Sequence, residues 1–239
     1  MKLDILVMAV HPDDAELGCA GTILKHVAQG LKVGLVDFTS GELGTRGSGE
    51  LRLKEAAESA KVLGLAAREN LGFRDGFFKN DEAHQLKLIE VIRRYQPEIL
   101  IGNAYEDRHP DHGRASALTT EACFYSGLRR IETVSIHGEK QEAWRPKQVL
   151  HYIQDRYLEP DFVVDISEFW EKKVESIRAF KSQFFDPNST EPESYIANPQ
   201  FLDFIEGRAR DMGHKIGATF GEGFLSEKKM QVKDLRNLL

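Results

Sequence analysis

Apolar residues fall into short runs separated by longer stretches with a period near 3.6, a pattern that predicts buried strands alternating with amphipathic helices. Residues 5–10 form the first run. Pro12 ends it, and Leu17, Ile23, Leu24 and Val27 behind Asp13 and Asp14 predict a helix that Gly30 stops. Residues 33–38 are a second apolar strand, so strand, helix and strand follow at the spacing of a parallel crossover, the start of a doubly wound sheet. Residues 39–49 are a Gly/Ser/Thr-rich loop at the carboxyl end of that strand, where loops usually border a site.

Residues 50–63 carry Ala and Leu at helical spacing with Gly64 behind them, and residues 70–73 predict a short strand. A clearer helix runs over 81–95 through Leu88, Val91 and Ile92, with Arg93 and Arg94 in its last turn, where cations suit the helix dipole. Residues 99–102 predict another buried strand and 115–125 a helix stopped by Gly127. Beyond lie strands near 149–153 and 162–166, then a helix with Trp170, Val174 and Ile177 on one face. The irregular stretch 184–198 has the length to cover a pocket, and a last helix near 199–212 leads to Gly221-Glu222-Gly223-Phe224 and a charged tail.

At 239 residues, 41% hydrophobic and 29% charged, the chain has the composition of a soluble globular protein with a sizeable core. A net charge of −6 supplies no basic field, which argues against nucleic acid as a partner. Cys19 and Cys123 both fall within helical patterns and read as buried hydrophobes, consistent with a cytoplasmic location. The chain enters a strand directly after Lys2, too soon for a secretory leader, and no stretch reaches the roughly 18 apolar residues of a membrane span. The glycosylation sequon Asn188-Ser189-Thr190 is therefore expected to be idle. The Gly-rich dinucleotide fingerprint is also missing from the first turn.

What stands there instead is His11-Pro12-Asp13-Asp14-Ala15-Glu16, at the carboxyl end of the first strand, where open α/β sheets bind ligands. The plain reading is a helix cap, with Asp13 and Glu16 in an acidic version of the capping box. A second cluster, Glu106-Asp107-Arg108-His109-Pro110-Asp111-His112, follows the strand over 99–102 in the same way, and in a parallel sheet the two ends lie on one edge. Together they can supply His11, Asp14 and His112 as three ligands with a fourth position left for water, the open arrangement of catalytic zinc; Fe²⁺ or Co²⁺ also suits such a set. Asp13 and His109 remain to act as base and as oxyanion partner in amide hydrolysis, and Asp111, two residues from His109, could orient its ring and favour its protonated form. Two other readings compete: a metal phosphoesterase, which wants two metals and more carboxylates, and a non-catalytic α/β binding module in which these residues only cap helices.

These two motifs resemble the PIG-L/LmbE family of metal-dependent N-acetylglucosaminyl deacetylases, most closely the branch that includes the bacillithiol-pathway deacetylase. The resemblance extends to Glu50-Leu51-Arg52, Asp165-Ile166-Ser167-Glu168, Ser182-Gln183-Phe184 and Gly221-Glu222-Gly223-Phe224. It implies a single domain over 1–239 with a Rossmann-like α/β fold: a mostly parallel sheet flanked by helices, with a smaller C-terminal α/β portion. It implies His11, Asp14 and His112 as ligands of one zinc ion per chain, Asp13 as general base, and His109, oriented by Asp111, stabilising the oxyanion and protonating the leaving amine. It adds Arg52 as a substrate-binding arginine and Tyr195 as a tyrosine that reaches toward the oxyanion; the residues alone would make these a solvated helix charge and a loop aromatic. The implied substrate is a small amino-sugar derivative, N-acetylglucosaminyl malate in the bacillithiol branch or another N-acetylglucosaminide, since the motifs specify the amide chemistry and not the aglycone; the implied assembly is a homo-oligomer, hexameric in close relatives. Phe220 and Gly221 stand where relatives often carry tyrosine and alanine.

Overall fold

The computed structural model describes residues 1–238. Strands β1 (Ile5–Ala9), β2 (Val33–Asp37), β3 (Ala67–Asn70), β4 (Ile99–Asn103), β5 (Gln148–Tyr152), β6 (Phe162–Asp165) and β7 (Gly221–Ser226) form one sheet in the order β3-β2-β1-β4-β5-β7-β6. The first five are mutually parallel; β7 runs antiparallel to both β5 and β6. From β1 the chain moves outward through β2 and β3, then returns to place β4 on the other side of β1. That reversal opens a crevice at the carboxyl ends of β1 and β4.

Alternation along β1 shows why this strand is central. Leu6 and Met8 join the cluster that holds Leu88, Ile92 and Leu118, whereas Ile5, Val7 and Ala9 join Ile23, Leu24 and Tyr152 on the other face. A strand buried on both faces reads as an unbroken apolar run. Helices α3 (Glu82–Tyr95) and α4 (Pro110–Ser126) pack on the first face. On the second, α1 (Asp14–Ala28), α2 (Gly49–Leu63) and α5 (Trp170–Arg178) pack together, and α6 (Phe201–Lys215) lies against β6 and β7.

Several elements differ from those expected: β7 forms at Gly221–Ser226, where glycines hide the strand pattern, and the last helix runs Phe201–Lys215 and not 199–212. The third strand is Ala67–Asn70, not 70–73, because its inward residue is Arg68, which apolar periodicity does not register. Arg68 donates to both oxygens of Asp37, at 2.8 and 3.0 Å, and to Glu16 Oε1 at 2.6 Å. Helix α4 starts at Pro110 and not near 115, since proline at a first helical position is preorganised and the first turn is polar. That shift puts Asp111 and His112 on the helix itself.

Phe220 stacks on Trp170 with ring centroids 4.4 Å apart. A methyl group at Gly221 would meet Val163 Cγ1 at 2.6 Å and Gly213 N at 2.8 Å, so the close approach of α6 to β7 requires glycine here. No helix among the described residues is long and apolar enough to cross a membrane.

Candidate active site

The turn after β1 holds Asp13 at φ 120°, a conformation few residues with a Cβ adopt, and this swings its side chain off the helix start. Its carboxylate makes no capping bond to α1, and Glu16 is committed to Arg68 and Ser59, so the capping-box reading is corrected. Asp13 Oδ2 instead accepts from Arg52 Nη2 at 2.8 Å. Asp14, the first residue of α1, points one oxygen at each histidine: Oδ2 lies 3.4 Å from His11 Nδ1 and Oδ1 lies 3.3 Å from His112 Nε2.

The outer nitrogen of each ring is held by a further carboxylate. His11 Nε2 lies 2.9 Å from Asp75 Oδ1, and His112 Nδ1 lies 2.7 Å from Asp107 Oδ2. Fixing the far nitrogen of an imidazole sets its tautomer and aims the near one, which is how metal-binding histidines are held. Sequence reasoning does not reach Asp75, since nothing in its neighbourhood marks it, whereas Asp107 lies within the second motif, five residues before His112. Gln154, just past β5, is a third addition, donating from Nε2 to Asp14 Oδ1 at 2.7 Å.

This donor set fits a divalent cation. His11, Asp13, Asp14, Asp75, Asp107, Asp111 and His112 crowd one edge of the sheet. Burial opposes charge on His112, but Asp14 and Asp107 outweigh it and raise the ring to about 9. Burial likewise opposes charge on His11, yet Asp111, Asp14 and Asp75 raise it well above the usual imidazole value. The site thus favours positive charge between the rings. Burial lifts Asp13 to about 7, against the pull of Arg52, while Asp14 is held well below the carboxylate range because His112 and His11 overcome its burial. His109 offers an alternative third ligand, since the rings of His11, His109 and His112 each present a nitrogen within 4.8 Å of the others.

The expected pairing of Asp111 with His109 is corrected. The Asp111 carboxylate accepts from Gly76 N at 2.9 Å and Arg114 Nη1 at 2.8 Å, and lies 3.8 Å from His11 Nε2. Among the described residues the hydrogen bond to the His109 ring comes from the Asp111 backbone, whose N–H donates to Nδ1 at 3.2 Å. Burial, then His11 and His112, lower the His109 pKa, so its environment does not favour the imidazolium. With Nδ1 accepting, the ring proton belongs on Nε2, so His109 can be a neutral N–H donor.

Over this floor lies a cavity of about 330 Å³, walled by Gly44, Thr45, Arg46, Gln183, Ser194 and Tyr195. Arg46 ties the wall together: it donates to Ser182 O, Pro192 O and Ser189 Oγ at 3.0, 3.1 and 2.9 Å, which joins the loop after β2 to the 184–198 stretch. Arg52 also lines the cavity and is buried, not a solvated helix charge. Tyr195 is 46% exposed, its ring 4.0 Å from the Arg108 guanidinium. After burial, Asp155 beside its hydroxyl raises its pKa, and among the described residues that hydroxyl has no hydrogen bond to the histidine cluster.

The Arg52 geometry yields a test. Arg52→Lys keeps the charge, but one ammonium cannot both hold Asp13 and present a planar fork to the cavity. Losing a charged hydrogen bond costs about 1.5–3 kcal/mol, so kcat/KM should fall at least about tenfold. Steady-state kinetics check this; unchanged values would leave Arg52 a purely structural residue.

Comparison with known proteins agrees with the geometry. The PIG-L family profile, described as GlcNAc-PI de-N-acetylase, matches residues 6–123, which carry both motifs. The diacetylchitobiose deacetylase of Thermococcus kodakarensis is 30% identical over 192 residues, covering 75% of this chain and 70% of that protein. The chain belongs to the PIG-L family. This PIG-L chain is also 27% identical over 192 residues to the 4-oxalmesaconate hydratase of Pseudomonas putida, covering 74% of the chain and 73% of the hydratase. A Bacillus subtilis protein described as a probable N-acetyl-alpha-D-glucosaminyl L-malate deacetylase 2 is 28% identical over 202 residues, covering 77% and 84%. Among solved structures, the conserved protein TT1542 of Thermus thermophilus superposes with a TM-score of 0.84 at 35% identity, covering 97% of this PIG-L chain and 98% of that one.

Proposed function

We propose that this PIG-L protein is a zinc-dependent N-deacetylase that removes acetate from an N-acetylglucosamine derivative, with N-acetylglucosaminyl L-malate as its substrate. The observation that carries the reading is the pair of histidines, each fixed from outside by a carboxylate and turned inward toward Asp14, beneath a cavity that also presents Asp13 and His109. His11, Asp14 and His112 would hold the ion, which when bound polarises a carbonyl and lowers the pKa of water. Asp13 takes a proton from the attacking water as its oxygen bonds to the acetyl carbon. His109 donates its Nε2–H toward the oxygen on which negative charge develops. As the carbon–nitrogen bond breaks, Asp13 returns the proton to the leaving nitrogen, giving a free amine and acetic acid, which loses its proton to solvent as acetate. Arg52 keeps Asp13 directed at the cavity throughout.

The malate group is supported by the resemblance of the motifs and by the Bacillus relative. The resemblance also carries our proposal of a homo-oligomer, and the free, buried Cys19 and Cys123 support our proposal of a cytoplasmic location. A second reading, water addition to a carbon–carbon double bond, is favoured by the likeness to the hydratase. Acetate release from N-acetylglucosaminyl L-malate, diacetylchitobiose and N-acetylglucosamine, beside hydration of 4-oxalmesaconate, separates them. We expect the malate conjugate to exceed the other sugars at least about tenfold in kcat/KM, a difference of about 1.4 kcal/mol. Preference for diacetylchitobiose would overturn the malate assignment, and hydration without acetate release would overturn deacetylation.

A further inference from the structure

Helix α1 is broken. Cys19 lies at φ −148°, ψ 18°, outside helical geometry, so the turn that begins with Asp14 and the segment that runs to Ala28 are two pieces with different directions. Polar backbone groups released by such a break are costly when buried without partners. Two charged side chains from distant elements meet them. Lys173 of α5 donates from Nζ to Leu17 O at 2.9 Å, before the break. Glu222 of β7 accepts after it, from Gly21 N at 2.9 Å, Thr22 N at 2.7 Å and Thr22 Oγ1 at 2.6 Å. Lys173 Nζ and Glu222 Oε1 are themselves 2.6 Å apart, and the two residues are only 2% and 4% exposed.

A buried ion pair is a poor way to gain stability alone, because desolvation consumes most of the attraction. Its geometric effect is specific. The pair reaches both sides of the break and fixes the angle at which the leading turn departs from the rest of the helix. Tight packing completes the constraint: a Cβ on Gly18 would fall 2.2 Å from the Tyr152 ring, and one on Gly21 would fall 2.7 Å from Ile166. The leading turn therefore lies hard against β5 at Gly18 and the following segment against Ile166 at Gly21, and Asp14 at the head of the turn comes between His11 and His112.

We propose that Lys173 and Glu222 are positioning residues for the metal site, splicing the two parts of α1 so that Asp14 is aimed between the histidines. The proposal rests on the reading of Asp14 as a ligand, and the test separates the two. Zn²⁺ affinity is measured by chelator competition, beside thermal stability, for the unaltered chain, Asp14→Ala, Glu222→Gln and Arg93→Met. Arg93 is a buried cation far along the other face, bonded to Ser126 O, Ile131 O and Leu128 O, so its loss is a control for destabilisation alone. Asp14→Ala should lose tight Zn²⁺ binding. Glu222→Gln should weaken Zn²⁺ binding about 10- to 100-fold, as loss of outer support for a ligand does, while Arg93→Met lowers Tm and leaves affinity unchanged. Unaltered affinity in Glu222→Gln, with Asp14→Ala defective, overturns the positioning role and keeps the ligand. Unaltered affinity in Asp14→Ala removes the ligand reading and the proposal with it. If Glu222→Gln does not fold, Thr22→Val carries the test by deleting only the hydroxyl donor: weakened Zn²⁺ affinity supports the proposal, unchanged affinity overturns it.

Discussion

Asp13→Asn is expected to keep its fold and its metal while kcat falls about 10²–10⁴-fold, the usual contribution of a placed general base. Asparagine has nearly the shape of aspartate, tolerates the positive φ that the turn imposes, and can still accept the Arg52 hydrogen bond through its carbonyl oxygen. What it cannot do is take a proton. Because the Asp13 carboxylate caps nothing, the cost in Tm comes only from the lost charge opposite buried Arg52, which the amide oxygen partly replaces. Metal analysis, thermal denaturation and kcat measured on one preparation decide it. Near-normal turnover by the metal-loaded variant would move the base function away from Asp13.

Second in size is His112→Ala, for which metal and activity should disappear together. The substitution removes one of the three ligands proposed here and leaves Asp107 Oδ2 without the ring it holds. His109→Ala is the informative partner, since its ring sits with those of His11 and His112 and competes geometrically with Asp14 for the third ligand position. We expect it to retain stoichiometric metal while losing most turnover. Metal content by mass spectrometry distinguishes the cases, and a metal-free His109→Ala would exchange the roles of His109 and Asp14.

Much of this was legible in the chain because apolar periodicity and two polar motifs at strand ends are local signals. The runs at 5–10 and 33–38 fixed the direction of the sheet, and His11, Asp14 and His112 converge as their positions after parallel strands require. Contacts between residues far apart in sequence were not legible. Arg68 is charged and mid-strand, so a pattern reading passes over it, yet it pairs with both Asp37 and Glu16. Asp75 holds His11 from an unremarkable loop, sixty-four residues away. Asp111 stands two residues from His109, but starting α4 at Pro110 turns its carboxylate toward Gly76 and Arg114. Proximity in sequence suggested the wrong partner there, because helix geometry decides which residues two apart face each other.

The position of β7 bears on how the molecule is made. It comes after β6 in the chain yet lies between β5 and β6, so the two are joined only through it. During synthesis the edge of β5, with Leu150 and Tyr152, stays unpaired until residues near 226 have left the ribosome. The residues around the histidines all precede Asp155, so most groups of the candidate site emerge well before the sheet can close. Glu222 arrives with that final strand. On the positioning role proposed for Glu222, the aim of Asp14 waits for that strand, and a chain stalled short of β7 exposes a strand edge of the kind that seeds aggregation.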